Sequence, residues 1–298
     1  MIATSLLTPT PPARTTDPAV SAFFKGASAP AKRTLGKLAA IDLDGTLLGP
    51  DHRPSPENIA AVARLQQRGI TVVIASGRHF DAIAPIATQL DSVDWYVCSQ
   101  GAEVTHANRQ TVLERQYMTR DDVELALAMG DQLGLISLVQ VTEGTVTDAP
   151  SNPMLAYHDR INGKSAYQIP RAQILDRQVY KVLWIGEPDR IAGLRHLSEI
   201  TSLPMQALHT ERGIFELMPH TVTKANGLSR LATHLGLGAS DVVAFGDGEN
   251  DIAMFKWAGA SYAMFHGHPN ALAAAKLISP SGHPASALAR AIDSYLAQ

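Results

Sequence analysis

Several features that would point to particular classes of protein are scarce or absent in this chain of 298 residues. The single cysteine, Cys98, excludes an internal disulfide, which fits a reducing compartment. No apolar run reaches the roughly 18 residues that a membrane-spanning helix needs. The formal net charge is only −3, so no strong electrostatic field favours nucleic acid or an anionic membrane. We therefore expect a cytoplasmic protein without a nucleic-acid or membrane partner.

The residues that are present describe a globular protein preceded by a segment of different composition. Hydrophobic residues make up 45% of the chain, and a chain of this length commonly forms about two domains. Residues 1–37 are instead rich in alanine, serine, threonine and proline, and Asp17 is their only acid. We expect this segment to be a disordered extension outside the fold, with an organelle transit peptide as the alternative that the same composition allows.

Short apolar runs alternate with helical patterns after this segment. Strands are predicted at 38–41, 70–75 and 95–98, with helices between them at 56–68 and 79–90. Strands without polar alternation are typical of a parallel sheet with helices on both faces. In such sheets ligands bind outside the carboxyl ends of the strands, so polar residues that directly follow a strand are candidates for the site.

The middle of the chain has a strand and helix pattern of its own and predicts an inserted domain. Residues 147–170 have the composition of loops, and the first sheet is expected to resume at 215–218. The predicted domains are an α/β core formed by 38–117 and 214–298, and an α/β cap formed by 118–213.

A pair of carboxylates follows the first predicted strand. Asp42 and Asp44 point to the same side of an extended segment, where they repel each other unless a cation lies between them. Carboxylates that share a cation with a substrate phosphate are typical of magnesium sites. Gly45 allows a sharp turn whose N–H groups can face a phosphate. By itself this run also fits a calcium loop or a plain turn, but the preceding apolar strand argues against both.

Three further segments add polar groups to the same predicted edge. Ser76 and Gly77 follow the second strand and offer a hydroxyl and an amide to a phosphoryl oxygen; the alternative is an ordinary turn with a solvated Arg78. Lys224 stands at a predicted helix start, where the helix dipole disfavours a cation, which indicates a function for its charge. Asp247 follows the last apolar strand, where it is placed to complete a cation site with Asp42.

Together these segments resemble the four motifs of the haloacid dehalogenase superfamily, and most closely its Cof-type sugar-phosphate phosphatases with a large α/β (C2B-like) cap. The motif matches are 42–46, 76–78, Lys224 and 246–251, with supporting matches at 99–102, 216–219, 253–255 and 263–269. The resemblance implies a Rossmann-like core with an inserted cap. One position departs from the family pattern, because Gln100 stands where asparagine is usual, beside the expected cap hinge.

The resemblance also implies a role for each motif residue. Asp42 is the nucleophile that forms an aspartyl-phosphate, and Asp44 is the general acid and base. A Mg²⁺ ion would be held by the carboxylates of Asp42 and Asp247 and by the backbone carbonyl of Asp44. The phosphate-binding groups are the amides of Leu43 and Gly77 and the side chains of Ser76, Lys224 and Asn250. Asp251 is expected to orient Lys224 or a magnesium-bound water.

The implied activity is magnesium-dependent hydrolysis of a small phosphorylated metabolite, either a sugar phosphate or a phosphorylated cofactor. Two alternatives stay open: a hexose phosphomutase-type phosphotransferase, and a non-catalytic protein that binds sugar phosphates. Closure of the cap would bring specificity residues to the leaving group. The candidates for this role are His158, Arg160, Lys164 and Tyr167, and His79 is a further candidate beside the second motif. Neither the substrate nor the oligomeric state follows from the sequence.

Overall fold

The computed structural model describes residues 35–298, and two β-sheets organise this part of the chain. The strands are β1 (Leu38–Ile41), β2 (Thr71–Ala75), β3 (Trp95–Cys98), β4 (Glu103–His106), β5 (Val112–Arg115), β6 (Ile136–Val141), β7 (Gly144–Thr147), β8 (Tyr167–Gln168), β9 (Val179–Ile185), β10 (Gln206–Glu211), β11 (Ile214–Met218), β12 (Val242–Gly246), β13 (Ala260–Ala263) and β14 (Leu277–Ile278).

Local sequence signals explain where several helices start. The Ser55 hydroxyl accepts a hydrogen bond from the Asn58 amide at 3.2 Å, and Pro56 occupies the first helical position, where an amide donor is not needed. The helices are α1 (Pro56–Gln67), α2 (Phe80–Ala87), α3 (Arg120–Gln132), α4 (Pro153–Asn162), α5 (Arg171–Leu175), α6 (Pro188–Gly193), α7 (Ser198–Thr201), α8 (Lys224–His234), α9 (Ile252–Trp257), α10 (Pro269–Ala274) and α11 (Ala287–Leu296).

The first sheet has the strand order β14-β13-β12-β1-β2-β3-β4-β5. Its strands run parallel from β14 to β3, and β4 and β5 add an antiparallel hairpin. Both faces are covered, since Leu38 and Ala40 of β1 pack in one apolar cluster while Ala39 and Ile41 pack in another. This double burial explains the unbroken apolar strands of the sequence and confirms the predicted α/β core.

The second sheet has the order β10-β11-β9-β6-β7-β8 and is mostly antiparallel. Side chains alternate along its central strand β9. Val182 and Trp184 pack in the apolar cluster that includes Val123 and Leu127 of α3, whereas Lys181 and Leu183 line a cavity that also borders the first sheet. One face of this sheet is therefore covered by α3, and the other lines the cavity at Lys181 and Leu183 and packs against Leu155 of α4.

Two predictions for the middle of the chain were wrong. Residues 215–218 do not resume the first sheet, because β11 pairs with β9 and β10, and the second sheet therefore continues to Met218. The segment 147–170 is not mainly loop, since it contains α4. Pro153 is at the first turn of α4 and Asn152 caps it, so the proline that suggested a loop starts a helix instead.

The boundary of the N-terminal extension also shifts. Residues 1–34 of the predicted extension lie outside the described residues, but 35–37 belong to the core. The Lys37 amide donates to the Asp241 carbonyl at 2.7 Å, and the Gly36 amide donates to the Tyr295 hydroxyl at 2.5 Å. From residue 35 to residue 298, no helix combines the length and the apolar character needed to cross a bilayer.

Candidate active site

The carboxyl edge of the first sheet brings most of the predicted site residues together. β1 lies between β2 and β12 in parallel register, so the residues that follow these three strands are neighbours. A cavity of about 340 Å³ opens over this edge. Of the predicted residues, those on its wall are Asp42, Asp44, Ser76, Gly77, Asp247 and Asn250. The other three, Leu43, Lys224 and Asp251, are fully or almost fully buried.

Lys224 is a buried cation at the site. Its Nζ lies 2.5 Å from Oδ1 of Asp42 and 2.6 Å from Oδ1 of Asp251, and its exposed fraction is 1%. Burial alone would lower the pKa of Lys224, but the charges of Asp251 and Asp42 outweigh burial and raise it. The ammonium therefore stays charged, and its place at the start of α8 is explained by these two ion pairs.

Asp251 supports the loop after β12 as well as the lysine. While its Oδ1 accepts from Lys224, its Oδ2 accepts from the amides of Asp247 and Gly248, both at 2.9 Å. Three donors thus occupy the carboxylate. Two roles were predicted for Asp251, and the structure shows the contact that one of them requires, the ion pair with Lys224.

Three carboxylates form the cluster that could hold a metal ion. Oxygen atoms of Asp42, Asp247 and Asp251 all lie within 4.8 Å of one another. Burial and the nearby Asp251 charge raise the pKa of Asp247 to about 7, so the crowded anions favour a bound cation. Because Asp251 already accepts three hydrogen bonds, Asp42 and Asp247 are the carboxylates better able to bind one. Their oxygens are the ligands that magnesium prefers.

Gly45 leaves space for this cluster. A Cβ at this position would lie 2.3 Å from Oδ2 of Asp247, and the backbone φ of +78° is one that side-chain-bearing residues rarely adopt. The Thr46 hydroxyl donates to Oδ1 of Asp247 at 3.1 Å. The turn after β1 therefore both makes room for Asp247 and holds it in place.

Asp44 lies on the cavity wall and is held there by Arg78. The guanidinium donates from Nε to Oδ2 at 2.8 Å and from Nη2 to Oδ1 at 2.5 Å, and Arg78 is only 7% exposed. Burial would raise the pKa of Asp44, but contacts with His52 and Arg78 outweigh it and lower the pKa to about 2. The alternative that Arg78 is solvated was therefore wrong, and sequence reasoning missed this ion pair.

The loop after β2 is packed closely against Gln100. A Cβ at Gly77 would lie 2.5 Å from Nε2 of Gln100, so only glycine fits here without a shift. Gln100 itself has a φ of +63°, in the left-handed region that glutamine seldom adopts. Its Nε2 donates to Oε2 of Glu216 at 3.0 Å and its Oε1 accepts from Nδ2 of Asn250 at 3.3 Å. The unusual residue thus connects the predicted phosphate-binding Asn250 to β11.

Lys181 of β9 completes a buried network that the sequence analysis did not predict. Its Nζ lies 2.6 Å from Oε1 of Glu216 and donates to the Gly77 carbonyl at 2.7 Å. A lysine in the middle of an apolar strand is the sequence signal that could have revealed this network, because lysine is seldom buried without a partner. In the structure Lys181 is fully buried. Through Lys181, Glu216 and Gln100, the second sheet is connected to both Gly77 and Asn250, two of the predicted phosphate-binding positions.

The second sheet also forms part of the cavity wall, through Gln140, Lys181, Leu183, Thr210, Glu211, Ile214 and Glu216. Of the cap candidates, His158 is on this wall, but Lys164 is not and pairs with Asp81 at 2.8 Å. Tyr167 is 63% exposed and is also not on the wall, and the side chain of Arg160 lies outside what the structure describes. His79 caps α2 by accepting from the Asp81 amide.

Comparisons with known proteins agree with this geometry. Residues 39–292 match the family of haloacid dehalogenase-like hydrolases. A Streptococcus pyogenes protein, provisionally named a phosphatase, is 29% identical over 87% of this chain and 98% of its own length. A haloacid dehalogenase-like hydrolase from Bacteroides thetaiotaomicron has a TM-score of 0.76 at 25% identity, covering 87% of this chain and 99% of that one.

A solved sugar phosphatase of subclass IIB of the same superfamily shares the fold with a TM-score of 0.76 at 19% identity, over 87% of this chain and 98% of its own. The family match spans most of the chain, and the motifs that carried the resemblance lie along one edge of the first sheet. This protein belongs to the haloacid dehalogenase-like hydrolases, as predicted.

Proposed function

We propose that this protein is a magnesium-dependent phosphatase that hydrolyses phosphate monoesters through Asp42. The observation that carries the proposal is the position of the Asp42 carboxylate, which lies on the cavity wall, is 2.5 Å from Lys224 and is grouped with Asp247. A carboxylate that only stabilised the fold would not need to face a cavity. It would also not need a second carboxylate, that of Asp247, beside it to share a cation. Mg²⁺ would be held by Asp42, Asp247 and the Asp44 carbonyl, and would offset the repulsion between Asp42 and the phosphate.

The covalent step uses one oxygen of Asp42. This oxygen forms a bond to phosphorus as the bond from phosphorus to the ester oxygen breaks. The alcohol leaves with a proton that Asp44, once released by Arg78, takes up from the monoprotonated phosphate ester. Water then attacks the aspartyl-phosphate after Asp44 removes its proton, which releases inorganic phosphate and restores Asp42. Lys224, Ser76, Asn250 and the amides of Leu43 and Gly77 would bind the phosphoryl oxygens, since positioning and charge stabilisation supply most of this catalysis.

Arg78 must move for this sequence of steps to occur. Both oxygens of Asp44 accept from the guanidinium, so neither is free to exchange a proton with the leaving group. A phosphate offers two oxygens to the planar guanidinium, as the Asp44 carboxylate does. We propose that the incoming phosphate draws Arg78 away from Asp44, which frees the acid only when substrate is bound.

The test is phosphate release from a panel of phosphorylated metabolites, measured with Mg²⁺ and with excess chelator. Release that requires Mg²⁺ and is lost in Asp42→Asn supports the proposal. Equal rates of phosphate release by wild type and Asp42→Asn would contradict the proposal. Conversion of a hexose 1-phosphate to its isomer without release of phosphate would instead identify a phosphomutase.

A further inference from the structure

A second cavity adjoins the catalytic one. It has a volume of about 550 Å³, and four of its wall residues, His52, His158, Glu211 and Ile214, also line the 340 Å³ cavity over Asp42. Because four residues belong to both walls, the two spaces meet along them. A group attached to a phosphate at Asp42 would therefore reach the second cavity by passing these four side chains, two of which, His52 and Glu211, are exposed.

The described wall of the second cavity carries five apolar side chains beside the charged Glu187 and Arg212. Ile185 of β9 and Ile214 of β11 are paired across the sheet, and Pro153 and Met154 come from the start of α4. Pro188, at the first turn of α6, adds a fifth apolar side chain. The volume of the second cavity lies within the range of about 300–1,000 Å³ that is usual for small-molecule sites. If the leaving group ended in the first cavity, these apolar walls would stay in contact with water. The complex would then lack about 25 cal/mol of binding free energy for each Å² of apolar surface left unburied.

The junction between the cavities is polar. Glu211 lines both of them; its side chain is exposed, and within residues 35–298 it forms no hydrogen bond or ion pair with another side chain. Water is the partner of such an exposed carboxylate, and a hydroxyl or an amine of a ligand can take the place of that water. His158 lies on the same boundary and is 6% exposed, whereas His52 beside it on the boundary is exposed.

We propose that the substrate is a phosphate monoester whose leaving alcohol has a hydroxyl or amino group near the ester and an apolar ring beyond it. The phosphate occupies the cavity over Asp42, the donor group meets Glu211, and the ring fills the space between Met154, Ile185 and Ile214. This inference rests on the proposed phosphatase function. Of the two substrate classes that the sequence left open, it selects phosphorylated cofactors that carry a ring over simple sugar phosphates.

The first experiment compares kcat/KM for phosphate release in the presence of Mg²⁺. Pyridoxamine 5′-phosphate and riboflavin 5′-phosphate serve as ring-bearing esters, and glucose 6-phosphate and glycerol 3-phosphate serve as esters without an apolar ring. We expect kcat/KM for at least one ring-bearing ester to exceed both others by about tenfold or more, which is the scale of discrimination by a small apolar contact.

The second experiment fills the second cavity. Met154→Trp is expected to raise KM about tenfold for the preferred ring-bearing ester while leaving kcat/KM for glycerol 3-phosphate nearly unchanged. Leu125→Trp is the matched control, because Leu125 is an apolar residue of the same part of the chain, is 39% exposed and lines neither cavity. As a measurement that needs no variant, riboflavin and pyridoxamine should inhibit the wild-type enzyme at lower concentration than glucose.

The outcomes separate this inference from the proposed function. Hydrolysis of glycerol or glucose phosphate at equal or higher kcat/KM, together with inhibition by glucose as strong as by the ring compounds, would overturn the inference and leave the phosphatase intact. An equal effect of Met154→Trp on all esters, with the variant folded by thermal unfolding, would count against it in the same way. If no ester is hydrolysed, both the proposed phosphatase function and this inference are wrong.

Discussion

Arg78 and Asp44 form a two-point ion pair across the catalytic cavity, with N–O distances of 2.8 Å and 2.5 Å. The pair joins the loop after β2 to the turn after β1, the two segments that carry the predicted phosphate-binding serine and the predicted nucleophile. It closes off the carboxylate that has to transfer protons in the proposed reaction. The ion pair is therefore a point at which substrate binding and catalysis are connected.

Arg78→Ala is expected to lower kcat/KM by about 100-fold or more, because it removes a two-point partner for the phosphate. Arg78→Lys should recover little of this loss, since an ammonium cannot donate in the same planar, bidentate geometry. Steady-state kinetics of phosphate release provide the measurement. The control is Arg68→Ala at the exposed end of α1, and an Arg78→Ala enzyme as active as this control would contradict the expectation.

Lys224→Met is expected to destabilise the protein by about 3–5 kcal/mol, because it leaves Asp42 and Asp251 as uncompensated buried charges. Mg²⁺ should restore part of this loss if it binds the same carboxylates. Thermal unfolding with and without Mg²⁺ measures both effects. A Lys224→Arg variant keeps the charge and should retain more of the stability; an unchanged melting temperature in Lys224→Met would show that the two ion pairs contribute nothing.

Gly45→Ala is expected to weaken Mg²⁺ binding, because the added methyl group would overlap Oδ2 of Asp247 at 2.3 Å and the residue has a φ of +78°. The concentration of Mg²⁺ that gives half-maximal activity should rise several-fold. Gly193→Ala is the matched control, since a Cβ there meets nothing within 4 Å. Equal metal dependence in the two variants would show that the cluster tolerates the displacement of Asp247.

The Lys181–Glu216 pair gives a prediction that separates stability from activity. Lys181→Met alone should cost about 3–5 kcal/mol, because Glu216 is left buried without its cation. The double variant Lys181→Met with Glu216→Leu should regain much of the stability, because no buried charge remains. It should stay impaired in KM for the phosphate ester, since Gly77 and Gln100 lose their partners. Full activity in a stable double variant would assign the pair a purely structural role.

His158 predicts a pH dependence of stability. Burial lowers the pKa of His158 to about 4, below the ordinary value of 6.5. The unfolded chain therefore binds more protons between these values, so stability is complete above pH 6.5 and falls as the pH drops towards 4. Between pH 7 and pH 5, protonation of this histidine in the unfolded chain should lower the free energy of unfolding by about 2 kcal/mol.

Denaturant unfolding at several pH values measures this loss, and His158→Gln should flatten the dependence by the same amount. The exposed His220 offers the control substitution His220→Gln. A slope that is identical in wild type and in His158→Gln would show that His158 is protonated as readily in the folded protein as in the unfolded chain.

Local sequence was enough to predict the first sheet and its edge. Apolar runs without alternation require burial on both faces, and a polar residue directly after such a strand must lie at the sheet's carboxyl edge. For this reason Asp42, Ser76 and Asp247 were predicted as neighbours although up to 205 positions separate them, the distance from Asp42 to Asp247. The proline-rich segment around α4 was misinterpreted, because proline breaks a helix interior but starts a helix at its first turn.

The sequence by itself determined that Asp42, Ser76 and Asp247 meet at one edge of the first sheet, and it predicted a second α/β unit in the middle of the chain. Only the tertiary structure decided which sheet β11 joins, that Arg78 holds Asp44, and that Lys181, Glu216 and Gln100 connect the second sheet to Gly77 and Asn250. These relationships depend on side chains that are distant in the chain and meet at distances below 3.5 Å. No local period or propensity encodes such distances, because they are set by how two separately patterned sheets pack against each other.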